Sequence, residues 1–449
     1  MNCNSRGSRL YTVLKFAFTI LGITSDIAAQ SNPPIRELTA IESASPERFG
    51  NIFGARELSA GHVLVNDGIR HQLIELDAKL ARVRIILDSV AVGGNGYGPT
   101  ASPLIRYLGD STLFVDGTAQ ALLVIDPNGN VVRVMAGPSR ADLRFLAGSP
   151  SGVDDKGRLV YRVTVMEMKQ SGLLNSTFTQ TQQLPDSASI VRLDLDTRKI
   201  DTVGKIKQQS KTKATRTRTA DGKFTVQYLI DPLETLDEWA VTSNGVIAFV
   251  RGYDYHIDFL HSDGATSRSP KLAFDWRKLD DDDKRHFVDS VRIQYEKMRA
   301  DAERYGDDDI TRMMREMLMR YSAGFALILP KPTPKTDAPL PAIQPKITIP
   351  ASQIAFVPPS ELADYYPPVH GGSALPDLDG NLWILPNTSK QSKAGELVYD
   401  VVNDRGVLTQ RVRVPAGRSI AGFGKHGVVY LMSIDGKHGW KLERAKIGS

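Results

Sequence analysis

One cysteine, Cys3, stands in the 449 residues, and it precedes the apolar run that begins at Leu10. An acylated lipoprotein cysteine follows such a run, so Cys3 cannot serve as one. Disulfide, zinc–thiolate and thiol-nucleophile chemistry fall together for a chain cut after that run. Aromatic residues are scarce at 7%, and 56 bases nearly balance 51 acids. A nucleic-acid surface needs clustered bases interleaved with aromatics. The most basic stretch, 202–228, carries Lys205, Lys207, Lys211, Lys213, Arg216, Arg218 and Lys223, with only Phe224 and Tyr228 nearby. It reads as an extended hairpin with a solvated basic face, and no nucleic-acid partner is expected. No window beyond the first thirty residues has 18 apolar residues, so no membrane span is expected after them.

Familiar catalytic spacings are also missing. The eight histidines form no His-Glu-x-x-His pair. Gly93-Gly94-Asn95-Gly96-Tyr97-Gly98 has no Lys-Ser/Thr after it and runs into Pro99, so it reads as a loop rather than a phosphate cradle. Gly148-Ser149-Pro150-Ser151-Gly152 has proline where a nucleophile elbow needs serine.

What is present is a signal, a repeat and an insertion. Arg6 and Arg9, the apolar stretch to Ile23 and the small residues Ala28-Ala29 have the form of a signal peptide over residues 1–30. This places the protein in the periplasm or outside the cell. A short alternating strand, a turn and a second strand ending in Asp plus a turn residue then recur, in six instances with first strands near Val63, Leu113, Leu159, Val246, Leu382 and Val428. The undisturbed period is that of a four-stranded propeller blade. The expected fold is all-β: a six-bladed β-propeller with an inserted α-helical hairpin. Blades one to four occupy 35–274, the helical insertion 275–328, a Pro-rich linker 329–352, and blades five and six 353–449. The sixth repeat stops one strand short, and Ile35–Ile41 is the expected closing strand. Phe287, Val291, Tyr295, Met298, Ala302 and Tyr305 share one helix face, and Met313, Met314, Met317, Leu318 and Tyr321 form a second stripe.

The chain resembles secreted bacterial six-bladed β-propeller proteins, a largely uncharacterised group akin to NHL-type propellers. The resemblance covers about residues 50 to 447. It is carried by Phe53-Gly54, Arg56-Glu57-Leu58-Ser59, Tyr253 to Asp258, Phe274-Asp275-Trp276, Tyr366-Pro367-Pro368 and Asp379 to Trp383. It implies a fold and a secreted location, with binding and enzymatic roles both open. Six-bladed lactonases of similar shape hold a divalent metal through Glu, Asn and Asp, a motif with no residue-by-residue counterpart here.

The innermost strand of each blade lines a propeller's channel. Arg56, Glu57, Arg106, Asp154 and Glu238 fall on or beside such strands and are the candidate ligand groups. Asp155, Asp237 and Asp377 stand beside them. Charged groups there must be solvated, paired or used. His256 and Asp258, two apart on one strand, share a face and can bind a metal or relay a proton, or His256 can sit hydrogen-bonded between blades. Asp77, Asp126, Asp400 and Asp404 read as turn caps. The expected function is a module that binds a small molecule or a protein through its channel face, without a cofactor. The alternative is a metal-dependent, lactonase-like hydrolase with a divalent cation such as Ca²⁺.

Export predicts a mature N-terminus near Gln30 or Ser31. N-terminal sequencing of protein from the exported fraction checks this, and an intact Met1 there overturns it.

Overall fold

The computed structural model describes residues 33–89, 96–98, 101–116, 119–139, 146, 151–165, 167–171, 178–218, 224–305, 354–387, 395–434 and 439–448. The signal-like start, the second helical stripe and the Pro-rich segment lie outside the described residues. Among those described, the strands form seven sheets.

Six sheets share one plan, four antiparallel strands paired side by side in chain order. Unit one comprises Ile52–Glu57, Val63–Asp67, Gln72–Leu76 and Arg82–Leu87. Unit two spans Ile105–Arg106 to Val131–Ala136, unit three Ser151–Val153 to Ile200–Lys207, and unit four Glu238–Val241 to Thr266–Arg268. Unit five runs from Ala374–Pro376 to Leu408–Val414, and unit six from Arg418–Phe423 to Trp440–Lys446. This order of four-stranded sheets is consistent with a β-propeller.

Unit six has three strands of its own, and Ser43–Ala44 pairs antiparallel with Trp440–Lys446 as its fourth. The closing strand thus lies just past the stretch expected. Ile35–Glu37 instead runs parallel to Leu408–Val414 and adds a fifth strand to unit five. The chain crosses between the two units at Leu38, which bridges to Ile447.

The central strands show why the sheets stack. Every residue of Val63–Asp67, Thr112–Asp116 and Ala121–Ile125 is buried, so both faces are covered. Alternate residues face different neighbours. Val63 and Val65 pack with Tyr430 and Leu442 of unit six, while Leu64 packs with Phe114 and Leu123 of unit two. Leu113 and Val115 turn to Leu159 and Tyr161 of unit three. The same division joins three to four through Val160 and Phe249, four to five through Ala248 and Leu382, and five to six through Trp383 and Leu431. These strands therefore read as continuous apolar runs rather than alternating ones.

The seventh sheet is spliced into unit three. Glu167–Ser171 and Phe178–Gln183 form one hairpin, and Lys213–Arg218 and Phe224–Ile230 form another. Ile354–Phe356 pairs parallel with Phe224–Ile230 and completes the sheet. The basic stretch is therefore two things. Ile200–Lys207 is the outer strand of unit three, and a hairpin begins only at Lys213. The helix Asp281–Tyr305 opens on three acids, which suit the positive end of its dipole. Its Val288 packs with Leu233, Leu279, Val357 and Leu362, apart from the cores between units.

In each unit the first two strands are joined by a five-residue turn whose first N–H donates to the fifth carbonyl. The six pairs are Leu58–His62, Tyr107–Ser111, Asp154–Arg158, Thr242–Val246, Asp377–Asn381 and Gly424–Val428, at 2.8–3.0 Å. The fourth residue is left-handed in all six: Gly61, Asp110, Gly157, Gly245, Gly380 and Gly427. At Gly245, φ is +82° and a Cβ would overlap the backbone of Asp155. Gly245→Ala is expected to lose about 2 kcal/mol or more of stability, since strain and overlap add. Gly264→Ala, at φ +92° with open space around it, should lose only about 1 kcal/mol. Urea unfolding of both variants checks the difference, and equal losses would refute the close approach.

Candidate functional site

The six turns touch in succession. Asp110 of unit two accepts from Ser59 N–H of unit one at 2.6 Å. Gly157 of unit three lies against Leu108 of unit two, and Gly245 of unit four against Asp155 of unit three. Gly380 of unit five lies beside Ser243 of unit four. Asp379 of unit five accepts from His426 and Gly427 N–H of unit six at 2.9 and 2.8 Å. Glu57 of unit one accepts from Lys425 N–H at 3.4 Å, which brings the series back to its start.

Four of the channel candidates stand on this rim, each with its own partners. Arg56 is buried, and its Nη1 donates to Thr112 Oγ1 at 2.6 Å while Nη2 donates to Asp110 Oδ1 at 2.9 Å. Burial pushes its guanidinium down to about 10, against the pull of Asp110. Glu57 accepts from the Tyr430 hydroxyl at 2.5 Å. Burial, then this bond and the Glu57 charge, push the Tyr430 phenol well up. Asp154 accepts from Lys156 and Arg158 N–H and from Arg158 Nε, and so caps its own turn. Arg106 is exposed, and its Nη1 donates to Ser243 O of unit four at 3.0 Å, reaching past unit three.

The other three candidates are elsewhere. Inner strands run toward the turn rim, so Glu238, first in its strand, lies at the opposite end. It is buried and accepts from Trp239 and Gly372 N–H. Burial raises its carboxyl despite the charge of Arg162. His256 begins the third strand of unit four at that same far end, with Nδ1 2.5 Å from Asp254 Oδ1 and Nε2 3.3 Å from Asp258 Oδ1. His256 and Asp258 do share a face. Asp258 accepts from Arg251 and Arg268 Nε at 2.9 and 2.7 Å, and these bonds outweigh burial and hold its carboxyl low. Beside them, Asp237 accepts from Arg251 and Gly252.

Among the expected turn caps, Asp77 and Asp126 accept turn N–H groups, but Asp400 does not. It is fully buried between units four and five, where Arg411 Nε and the Tyr255 hydroxyl donate to it at 2.8 and 2.7 Å. A strand position with both faces covered leaves a carboxylate no amide of its own turn to cap. Asn403, not Asp404, caps the following turn.

Asp110, Ser243, Asp379, Lys425 and His426 escaped the sequence reading. Aligning the six turns on their fourth residue would have found them, because Asp110 is the one non-glycine in that column. Its left-handed backbone is strained for a side chain. Its carboxylate and carbonyl both engage Arg56, which offsets the strain. Burial opposes ionisation of Asp110, but Ser59 N–H, Arg56 and Arg106 outweigh it and hold the carboxyl below its usual range.

Among the described residues, no three His, Cys, Asp or Glu side chains converge as a metal site. A cavity of about 660 Å³ opens away from the rim, where unit three meets the seventh sheet, lined by Lys205, Lys207, Lys211, Glu234 and Asp364 among others. Its Glu234 accepts from Ser210 and Lys211 of the cavity wall itself, so it serves the loop. No described helix is long and apolar enough to cross a membrane.

No family model and no curated protein sequence matches this chain. Among solved structures it is similar to a catalytically inactive virginiamycin B lyase from Staphylococcus aureus with quinupristin. That match has 9% identity and a TM-score of 0.34, covering 91% of this chain and 98% of that one. A DUF4221 family member from Bacteroides vulgatus matches at 9% identity and 0.38, covering 94% and 98%. A calcium-binding regucalcin from Agrobacterium tumefaciens matches at 12% and 0.21, covering 53% and 80%. Likenesses at such scores carry no residue and no activity to this chain.

Asp110→Asn should lower stability by roughly 1–3 kcal/mol at neutral pH, because Arg56 keeps its burial and loses its counter-charge. A depressed carboxyl stabilises above its unfolded pKa of about 3.9 and loses that contribution as pH falls through the folded value. The gap between wild type and variant should therefore close below about pH 4. Urea unfolding across pH checks this, and a gap constant from pH 7 to 2 would refute it.

Proposed function

We propose that the six units are blades of one closed ring, and that the protein is an exported propeller binding a ligand or partner at the turn rim of its channel. The observation that supports this most is the unbroken series of turn contacts, with Arg106 reaching past a neighbouring unit to Ser243. Inner-strand residues from separate units meet at such a mouth, which suits recognition by convergent polar groups on a rigid scaffold. The helix and the seventh sheet are accessory to the ring, since their apolar contacts form cores of their own.

A thermal-shift series with neutral sugars, small oxyanions and Ca²⁺ tests the reading on the full chain. At least one ligand should stabilise the wild type and lose its effect in Arg106→Glu and Lys425→Glu. Stabilisation that survives both substitutions would move the site off the rim. Tight Ca²⁺ binding by calorimetry, lost in both Glu57→Ala and Asp154→Ala, would replace the binding reading with the metal-dependent hydrolase.

A further inference from the structure

The charges on the rim are not equally available. Asp110 holds Arg56 and Ser59 N–H, and Glu57 holds the Tyr430 hydroxyl and Lys425 N–H. Asp155 accepts from the Ser262 hydroxyl at 2.8 Å. Asp377 accepts four bonds, from Asp379 N, Asn381 N and Nδ2, and Trp383 Nε1, at 2.7–2.9 Å. Asp379 holds two amides of unit six. Every one of these carboxylates has a donor within the fold, and most answer to a neighbouring turn.

The cations differ. Arg106 is exposed, its one hydrogen bond goes to a carbonyl, and no carboxylate lies within ion-pair distance of it among the described residues. Lys425 and His426 are exposed in the turn of unit six, and among the described residues their bonds are made by backbone groups, the two N–H groups and the Lys425 carbonyl. A carbonyl accepts a hydrogen bond without neutralising the guanidinium. Most of the five Arg106 donors remain open in the planar fork that suits carboxylate and phosphate.

We infer that the rim takes an oxyanion, a carboxylate- or phosphate-bearing small molecule, anchored by Arg106 and supported by Lys425 and His426. This rests on the ring reading above and names the ligand class for that site. The acids spend acceptor sites on the N–H and O–H groups of the turns, and the charged donors left open at the rim belong to the cations. Arg56 is not part of the clamp, because Thr112 and Asp110 already occupy its fork.

Calorimetric titration of the full chain with inorganic phosphate and with citrate tests the inference, using wild type, Arg106→Ala, Lys425→Ala and Arg133→Ala. Arg133, on the outer strand of unit two, is paired with Asp196 and serves as a basic control outside the proposed clamp. At least one oxyanion should bind the wild type, about tenfold more weakly in Arg106→Ala, a few-fold more weakly in Lys425→Ala, and unchanged in Arg133→Ala. Which of the two binds more tightly separates a phosphate from a carboxylate ligand. Circular dichroism should show all variants folded, since the exchanged side chains are exposed. Absence of binding by both oxyanions, or equal weakening in Arg106→Ala and Arg133→Ala, overturns the inference. A neutral sugar whose binding is lost in rim variants, with neither oxyanion bound, overturns it while leaving the rim reading intact. Ligands indifferent to every rim substitution overturn both.

Discussion

Two residues, Ser43 and Ala44, complete the sheet of unit six by pairing with its last strand, and unit six packs on unit one as that finished sheet. Without that pairing, Trp440–Lys446 would present a bare edge, and the interface between units six and one would lose its outer support. Ser45 reinforces the clip, because its backbone N–H donates to Leu442 O and its hydroxyl accepts from Leu442 N–H. Sequence-distant strands thereby share one sheet, so the last unit cannot settle before the start of the described chain has joined it. Glu57 meets the turn of unit six across the same interface.

Much of this architecture is written in the sequence as punctuation. Glycine holds the fourth place of five of the six turns before the second strands because that place needs a left-handed residue, and the recurrence exposes the repeat. What was hidden had no such marker. Glu167–Ser171 is exposed at every position and carries no apolar pattern, so the hairpin it forms with Phe178–Gln183 was invisible. Ser43–Ala44 is too short and too polar to read as a strand. Its pairing is dictated by the open edge of unit six rather than by its own composition.

The candidate site was legible in position and not in role. Arg56, Glu57 and Arg106 could be placed on the first strand of a repeat by counting, and they lie on the first strands of units one and two. Whether a charge is free or engaged depends on partners up to several hundred residues away, as with Glu57 and Tyr430. Asp400 shows the same limit: next to an apolar strand it resembles a turn cap, yet Arg411 and Tyr255 hold it inside. Glu238 belongs to an inner strand but to its opposite end, a distinction of strand direction that spacing alone does not carry.

The covering of both strand faces has a consequence for register. In a sheet with one wet face, a slip of one residue throws apolar side chains into water, and polarity forbids it. Here a slip would exchange one apolar interface for another, so polarity is a weak guard. Shape takes over: Trp383 sits between Leu382 and Ile384, Phe114 between Leu113 and Val115, and Ala248 between Ile247 and Phe249. Each exchange would drive a large ring into a gap made for an aliphatic chain, or leave a void where a ring belonged. Alignment in these strands is set by the volumes of successive side chains.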